Sequence, residues 1–350
     1  MKFGIRLPVN GPFASRDAIL EVLELAEQQS FDSAWTQGHL LWSSAQHRTQ
    51  ISVGSVEALE PAQNPNMFDT FSTLFYASGV TRKVRLGSAV FVAPLVHPVL
   101  AARLLANLDV FSGGRLIFCA APGGPLIRKD FETLGVDFAQ RAAVADECIE
   151  AILKLWTEDS ASFEGRFVKF SDVSLYPKPA QKPRPPVWIA GGDPGAIGRA
   201  AKYGDGWMLT TADPRTVIGG MDEIAGSFQK LKRRAREEHG REVKDLAIDI
   251  YACVGRSGGS ADDREAFDIS DGTIAARLKR QAQSANLRVP TQREVESMNL
   301  IGSPSTITKK VEAFEKMGVT LLELKMICWS LEQMKEMMGV FGRDIIPSFC

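Results

Sequence analysis

Residues 187–208 read VWIAGGDPGAIGRAAKYGDGWM. The apolar run VWIA stops at Gly191-Gly192, and Asp193-Pro194 open an alanine-rich stretch. Gly204-Asp205-Gly206-Trp207 then begins a second apolar run, GWMLTT (206–211). The pattern is strand, helix, strand. Two glycines where a strand ends and a helix begins make a tight turn. They also make a seat for a phosphate, because a helix N-terminus offers unpaired N–H groups and a partial positive charge. Glycine lets that backbone come close to a ligand. Asp193 puts a negative charge at the same place and is equally a residue that caps a helix. From the residues alone, both readings stand.

The same alternation extends to both sides. FGIRLP (3–8), SAWTQ (33–37), VRLGSAVFV (84–92), RLIFCAA (115–121), LAIDIYACVG (246–255) and VTLLELKMI (319–327) read as further strands. Helical spacing lies between them. Ser15 is placed to cap a helix carrying Ile19, Leu20, Leu23 and Ala26, Met67 to Ser78 is helical, and Pro98 opens another helix at its first turn. Cys148, Ile149, Ile152, Leu153 and Trp156 share one face of a helix over 146–156. Further helices are expected over 214–239, from Ser303 to Met317, and over 330–342. SFEGRFVKF (162–170) reads as a hairpin, and the prolines of YPKPAQKPRPP (176–186) fall between elements. About eight strands alternating with helices imply parallel strands joined by right-handed crossovers. Eight such units close into an α/β (β/α)8 TIM barrel; an open doubly wound sheet is the alternative. We expect a single domain over residues 1–350, with insertions at about 40–66 and 257–300.

Bulk properties narrow the function classes. The 350 residues carry 41 Lys plus Arg against 42 Asp plus Glu, which argues against a nucleic-acid or membrane-surface binder. The five cysteines are widely spaced and form no CxxC pair, so neither a disulfide framework nor a structural zinc site is expected. No apolar run approaches about 18 residues and no leader is evident, so a cytoplasmic location is expected. A metal hydrolase on a barrel would need clustered ligands, and the chain has four histidines and no His-x-His in its first strand. The phosphate-loop pattern GxxxxGK[ST] is absent.

Barrel active sites lie at the C-terminal ends of strands. The residues there are Asn10, Gly38-His39, Ala89 to Ala93, Gly123-Gly124, Gly191-Gly192 and Thr210-Thr211. At these ends the chain resembles the luciferase-like flavin-dependent oxidoreductases, relatives of bacterial luciferase and of deazaflavin-dependent reductases. The matching stretches are FDSAWTQGHL (31–40), VRLGSAVFVAPLVHPVLAARLLANLDVFSGGRL (84–116), FETLGVDFAQR (131–141), residues 146–192, AAKYGDGWM (200–208) and residues 302–325.

The resemblance implies a barrel of the bacterial-luciferase type holding reduced FMN or coenzyme F420 at its C-terminal mouth. It implies a non-prolyl cis peptide at Ala89-Val90, with Ser88, Ala89 and Val90 against the flavin ring. It makes Gly123 a cofactor contact and makes Gly191, Gly192 and Gly195 the turn that receives the cofactor phosphate. His39 becomes the catalytic residue, since an imidazole beside a flavin can shuttle a proton. His97 is read as structural, and Phe13, Trp42, Phe91 and Trp329 as apolar wall or core.

The implied activity is hydride transfer to, or monooxygenation of, a small organic substrate. A separate flavin or F420 reductase and a homodimer are implied as partners. The chain departs from the family at Gly38, where the family often has Asp before the His, and at Cys119 to Pro122, where strand glycines are missing. No arginine cluster is apparent near the fourth strand. These departures keep a non-catalytic flavin-binding barrel as the alternative.

Overall fold

The computed structural model describes residues 1–11, 13–38, 40–41, 66–255, 274–275, 278–283, 285–328 and 330–349. Its strands are β1 (Lys2–Arg6), β2 (Ser33–Thr36), β3 (Arg85–Ser88), β4 (Phe91–Val92), β5 (Leu116–Ala121), β6 (Ala161–Glu164), β7 (Lys169–Val173), β8 (Val187–Ala190), β9 (Gly206–Thr210), β10 (Asp245–Val254), β11 (Leu300–Gly302) and β12 (Leu321–Met326). Parallel pairing runs β1-β2-β3-β5-β8-β9-β10-β12 and returns from β12 to β1. Eight strands therefore close a barrel, and the open sheet is excluded because β10 pairs with both β9 and β12. VWIA is the fifth barrel strand.

Several details refine the sequence reading. The run 84–92 is not one strand: β3 stops at Ser88 and β4 resumes against β5 with Phe91 opposite Ala120, while the Ala89-Val90 peptide between them is cis, as the resemblance implied. Residue alternation carries no mark of such a break. The helix expected over 146–156 begins earlier, at Arg141, and runs to Thr157. The last helix, Leu331–Val340, continues through a π-helical turn, Phe341–Ile345. The insertion expected at 257–300 also ends in regular structure, a helix over Gln292–Ser297 followed by β11, which extends the sheet beside β10.

Local chemistry explains the helix starts. Ser15 accepts a hydrogen bond from the Ala18 amide, Ser303 from that of Thr306, and Pro98 occupies the first turn of Pro98–Phe111. Ala18, Ile19, Val22, Leu23 and Ala26 are the buried face of Arg16–Gln28. Two glutamates fasten loops by the same principle in reverse. The Glu27 carboxylate accepts from the amides of Arg82, Lys83 and Val84. Glu147 accepts from those of Arg166, Phe167 and Val168, at the tip of the β6–β7 hairpin.

The barrel interior is filled in its lower part by Trp35, Ile117, Cys119, Trp188, Met208, Ala247 and Leu321. The Trp35 and Trp188 rings stack with centroids 5.5 Å apart. Gly4 and Gly87 make room for Trp35, since a Cβ on Gly4 would stand 2.5 Å from its Nε1 and one on Gly87 would meet its six-membered ring. At the N-terminal end of the strands, Asp205 accepts from the Val187 amide and pairs with Arg184 and Arg241. The GDGW segment is thus a clamp at the end of the barrel away from the mouth. Cys119, Cys148, Cys253 and Cys328 are all buried. Among the described residues, no helix is long and apolar enough to cross a membrane.

Candidate active site

A cleft of about 500 Å³ opens at the C-terminal ends of the barrel strands, within the size range of small-molecule sites. One wall comes from the ends of β2 to β5: Gly38, Ala89, Val90, Val92 and Gly123 to Ile127. The facing wall comes from the turns after β8 and β9: Gly192, Asp193, Thr210, Asp213 and Arg215.

Of the residues singled out in the sequence, Ala89, Val90, Gly123 and Gly192 meet on this cleft. Ser88 lies behind them, buried, with an Oγ that makes no hydrogen bond. Gly191 adopts φ +124°, and the fold uses both its backbone groups: its amide donates to Met208 and its carbonyl accepts from Trp207 Nε1. Its part is to set the position of Gly192. Gly195 is off the cleft, with its amide donated to Asp193. His39 lies outside the described residues, as do Trp42 and Trp329. On either side of position 39, Gly38 lines the cleft and the Leu40 and Leu41 amides donate to the Asp130 carboxylate. Burial pushes the Asp130 carboxyl above the usual aspartate range, against the pull of those two amides.

The two readings of the opening turn can now be weighed. Asp193 is the N-cap of Pro194–Tyr203, and its Oδ1 accepts from the Gly195 and Ala196 amides at 2.9 and 3.1 Å. Those donors are satisfied within the chain, and a carboxylate stands at the cleft edge. What the turn presents to the cleft is Gly192. Close to Gly192, the Thr216 hydroxyl is buried without a hydrogen-bond partner. Arg215, the neighbouring residue, lines the cleft and pairs at 3.6 Å with Asp213, the N-cap of Pro214–His239.

One departure from the family pattern, Gly38, and one shared glycine, Gly123, acquire causes. A Cβ on Gly38 would collide with the Val90 carbonyl oxygen, so this backbone admits only glycine there. Gly123 has φ +85°, and a Cβ on it would stand 2.8 Å from Ile127 Cδ1 and 3.0 Å from Val92 Cγ1.

The sequence reading missed Arg141. No arginine cluster is apparent near the fourth strand, yet Arg141, twenty residues farther along, folds back so that its Nε donates to the Gly123 carbonyl at 3.2 Å. Its Nη1 donates to the Phe138 carbonyl, and the guanidinium lies 4.1 Å from the Phe138 ring centroid, with Arg128 at 4.3 Å from the same centroid. Nη2 makes no hydrogen bond among the described residues, and the residue lines the cleft. The available signal was the segment FETLGVDFAQR, whose last residue this is.

Sequence reading also missed a buried polar group at the mouth. Arg6 donates to both Glu323 oxygens, at 2.5 and 2.8 Å, and to Asp249 at 3.3 Å, and Lys325 pairs with Asp249 at 2.6 Å. Burial opposes charge on Arg6, but the two carboxylates outweigh it and hold the guanidinium protonated.

Comparison with known proteins agrees with this architecture. A family model described as luciferase-like monooxygenase matches residues 1–321. An FMNH(2)-dependent dimethylsulfone monooxygenase of Pseudomonas putida is 27% identical over 285 residues, 76% of this chain and 74% of that protein. The crystal structure of the monooxygenase RslO1 from Streptomyces bottropensis superposes with a TM-score of 0.78 at 22% identity, covering 100% of both chains. The coenzyme F420 dependent tetrahydromethanopterin reductase from Methanopyrus kandleri does so with a TM-score of 0.69 at 18% identity, covering 100% of this chain and 99% of that one. These two structural likenesses concern the fold.

Proposed function

The chain belongs to the luciferase-like monooxygenase family, and from that premise we propose that it is an oxidoreductase that binds reduced FMN or coenzyme F420 in the cleft and acts on a small organic substrate. The observation that carries the reading is Arg141, a guanidinium fixed by Gly123 and Phe138 with one edge unpaired toward a cleft at the barrel mouth. The residues suit the group. Ala89 and Val90 offer an apolar wall for a flat ring system, and the anionic tail has Arg141, Arg215, the Gly192 backbone and the Thr216 hydroxyl available to it. Bound there in its reduced form, the cofactor supplies a hydride or activates oxygen. The protein supplies position, exclusion of water and a proton donor, for which His39 remains our assignment. Gly38 no longer argues for a non-catalytic barrel, because its identity follows from the Val90 carbonyl.

A separate flavin or F420 reductase as the source of reduced cofactor, and a homodimer, belong to the same proposal. So do a single domain over 1–350 and a cytoplasmic location. The test is a titration of the purified protein with FMN and with F420 separately, followed by fluorescence. Saturable binding of one of them is expected, and it selects between the two cofactors. Failure to bind either, with a native circular dichroism spectrum, overturns the proposal. Sedimentation velocity on the same sample tests the dimer.

A further inference from the structure

The barrel mouth has two unlike halves. The half that carries the cleft, from the end of β2 to the turn after β9, is lined by glycine and apolar residues on one wall and by Asp193, Thr210, Asp213 and Arg215 on the other. The other half, formed where β10, β12, β1 and β2 lie side by side, is polar and buried. Two hydrogen-bond donors there make no hydrogen bond among the described residues. Arg6 spends Nε and Nη2 on Glu323 and Asp249, and its Nη1 makes no hydrogen bond among the described residues. Gln37 is 8% exposed, and its Nε2 has no partner.

The strand register puts the two residues on the same side of adjacent strands. Arg6 pairs in register with Trp35, whose ring fills the barrel interior. The strand geometry continues past the end of β2: the Leu7 amide donates to the Trp35 carbonyl and the Ala89 amide to that of Thr36. Gln37, two residues beyond Trp35, therefore returns to the interior face. It is also the residue before Gly38, which lines the cleft. A buried donor without an acceptor, as at Gln37 Nε2, is costly to a fold.

We propose that Arg6 Nη1 and Gln37 Nε2 form the polar subsite of the substrate pocket and that they take an uncharged carbonyl oxygen. Charge balance selects the neutral group over an anion: Arg6 and Lys325 are already matched by Asp249 and Glu323. Gln37 is thereby a specificity-determining residue, since a site built to donate to an oxygen discriminates against an analogue lacking it. The proposal rests on the cofactor reading of the neighbouring cleft only in calling the bound molecule a substrate.

The test is saturation-transfer NMR on the full chain, with and without FMN, using cyclohexanone, methylenecyclohexane and cyclohexanecarboxylate as probes. Cyclohexanone is expected to bind roughly tenfold more tightly than methylenecyclohexane, which has its shape without the acceptor. It is also expected to bind more tightly than the carboxylate, and its carbonyl carbon resonance is expected to move downfield on binding. Gln37→Met should abolish the preference and most of the shift. Absence of cyclohexanone binding, equal affinity for the first two probes, tighter binding of the carboxylate, or a preference that survives in Gln37→Met overturns the proposal. The wild-type comparison alone decides if the variant fails to fold. Titration of the same samples with FMN and with F420 is independent: unchanged cofactor affinity in Gln37→Met is expected, whereas cyclohexanone binding without binding of either cofactor sinks the cofactor reading and leaves the subsite.

Discussion

The Val90 carbonyl oxygen occupies the space in which a side chain on Gly38 would begin. The oxygen is a backbone atom and a Cβ is fixed rigidly to the backbone, so neither can swing aside. Gly38→Ala is expected to destabilise the protein by about 1–3 kcal/mol, the usual range for overpacking, and Gly38→Asp, which restores the family's common residue, by at least as much. Thermal melts check this. A Gly38→Ala protein that melts with the wild type would mean that the 89–90 segment yields freely.

Arg141 is held by two carbonyls and a ring, with one edge toward the cleft. Arg141→Ala should weaken cofactor binding by about ten- to a hundredfold, the worth of a charge-assisted hydrogen bond. Arg141→Lys should recover little of that loss, because an ammonium lacks the planar fork. Fluorescence titration beside a thermal melt separates lost binding from lost folding.

At Asp193 the cap and the charge can be separated. Asp193→Asn keeps a capping oxygen for the Gly195 and Ala196 amides and removes the negative charge from the cleft edge, so melting should hold and cofactor affinity should stay equal or rise. Asp193→Ala removes the cap and should cost about 1 kcal/mol of stability. A large loss of affinity in the asparagine variant would make the aspartate itself a ligand.

Glu147 gives the acid limb of stability a residue-level origin. Partial burial pushes its carboxyl up, but the amides of Phe167, Arg166 and Val168 outweigh that and hold it below the ordinary glutamate value. A depressed folded value means a contribution that is complete above the unfolded value, about pH 4.3, and lost as pH falls through the folded one. Glu147→Gln should therefore melt earlier than the wild type at pH 7, with the two curves converging below about pH 4. Curves that stay parallel down to pH 3 would show that the carboxylate does not fasten the hairpin.

Much of this fold is written in local patterns. Ser15, Ser303 and Pro98 mark helix starts, and apolar runs separated by helical spacing give the barrel and the face on which to look. What stayed hidden depends on closure. FGIRLP, AIDIY and LLELK read as strands with one wet face, because Arg6, Asp249, Glu323 and Lys325 alternate with apolar neighbours. In a closed barrel the second face is the interior, so the same alternation buries four charges at the mouth. Arg141 stayed hidden for a different reason: its partner Gly123 is eighteen residues away, and no periodicity ties a helix start to a turn at that distance. The split of the third strand leaves no trace in periodicity, and only the family resemblance pointed to Ala89-Val90.

The buried cysteines make the molecule its own reporter of opening. Cys119 sits on β5, Cys148 on Arg141–Thr157, Cys253 on β10 and Cys328 just past β12, so each marks a different sector. Burial pushes the Cys148 and Cys328 thiols up to about 12, and Cys119 upward as well, leaving almost no thiolate to react while the protein is native. With Cys350 replaced by serine, peptide-resolved alkylation would time the loosening of each sector in turn, and the order of labelling would show which part of the ring parts first.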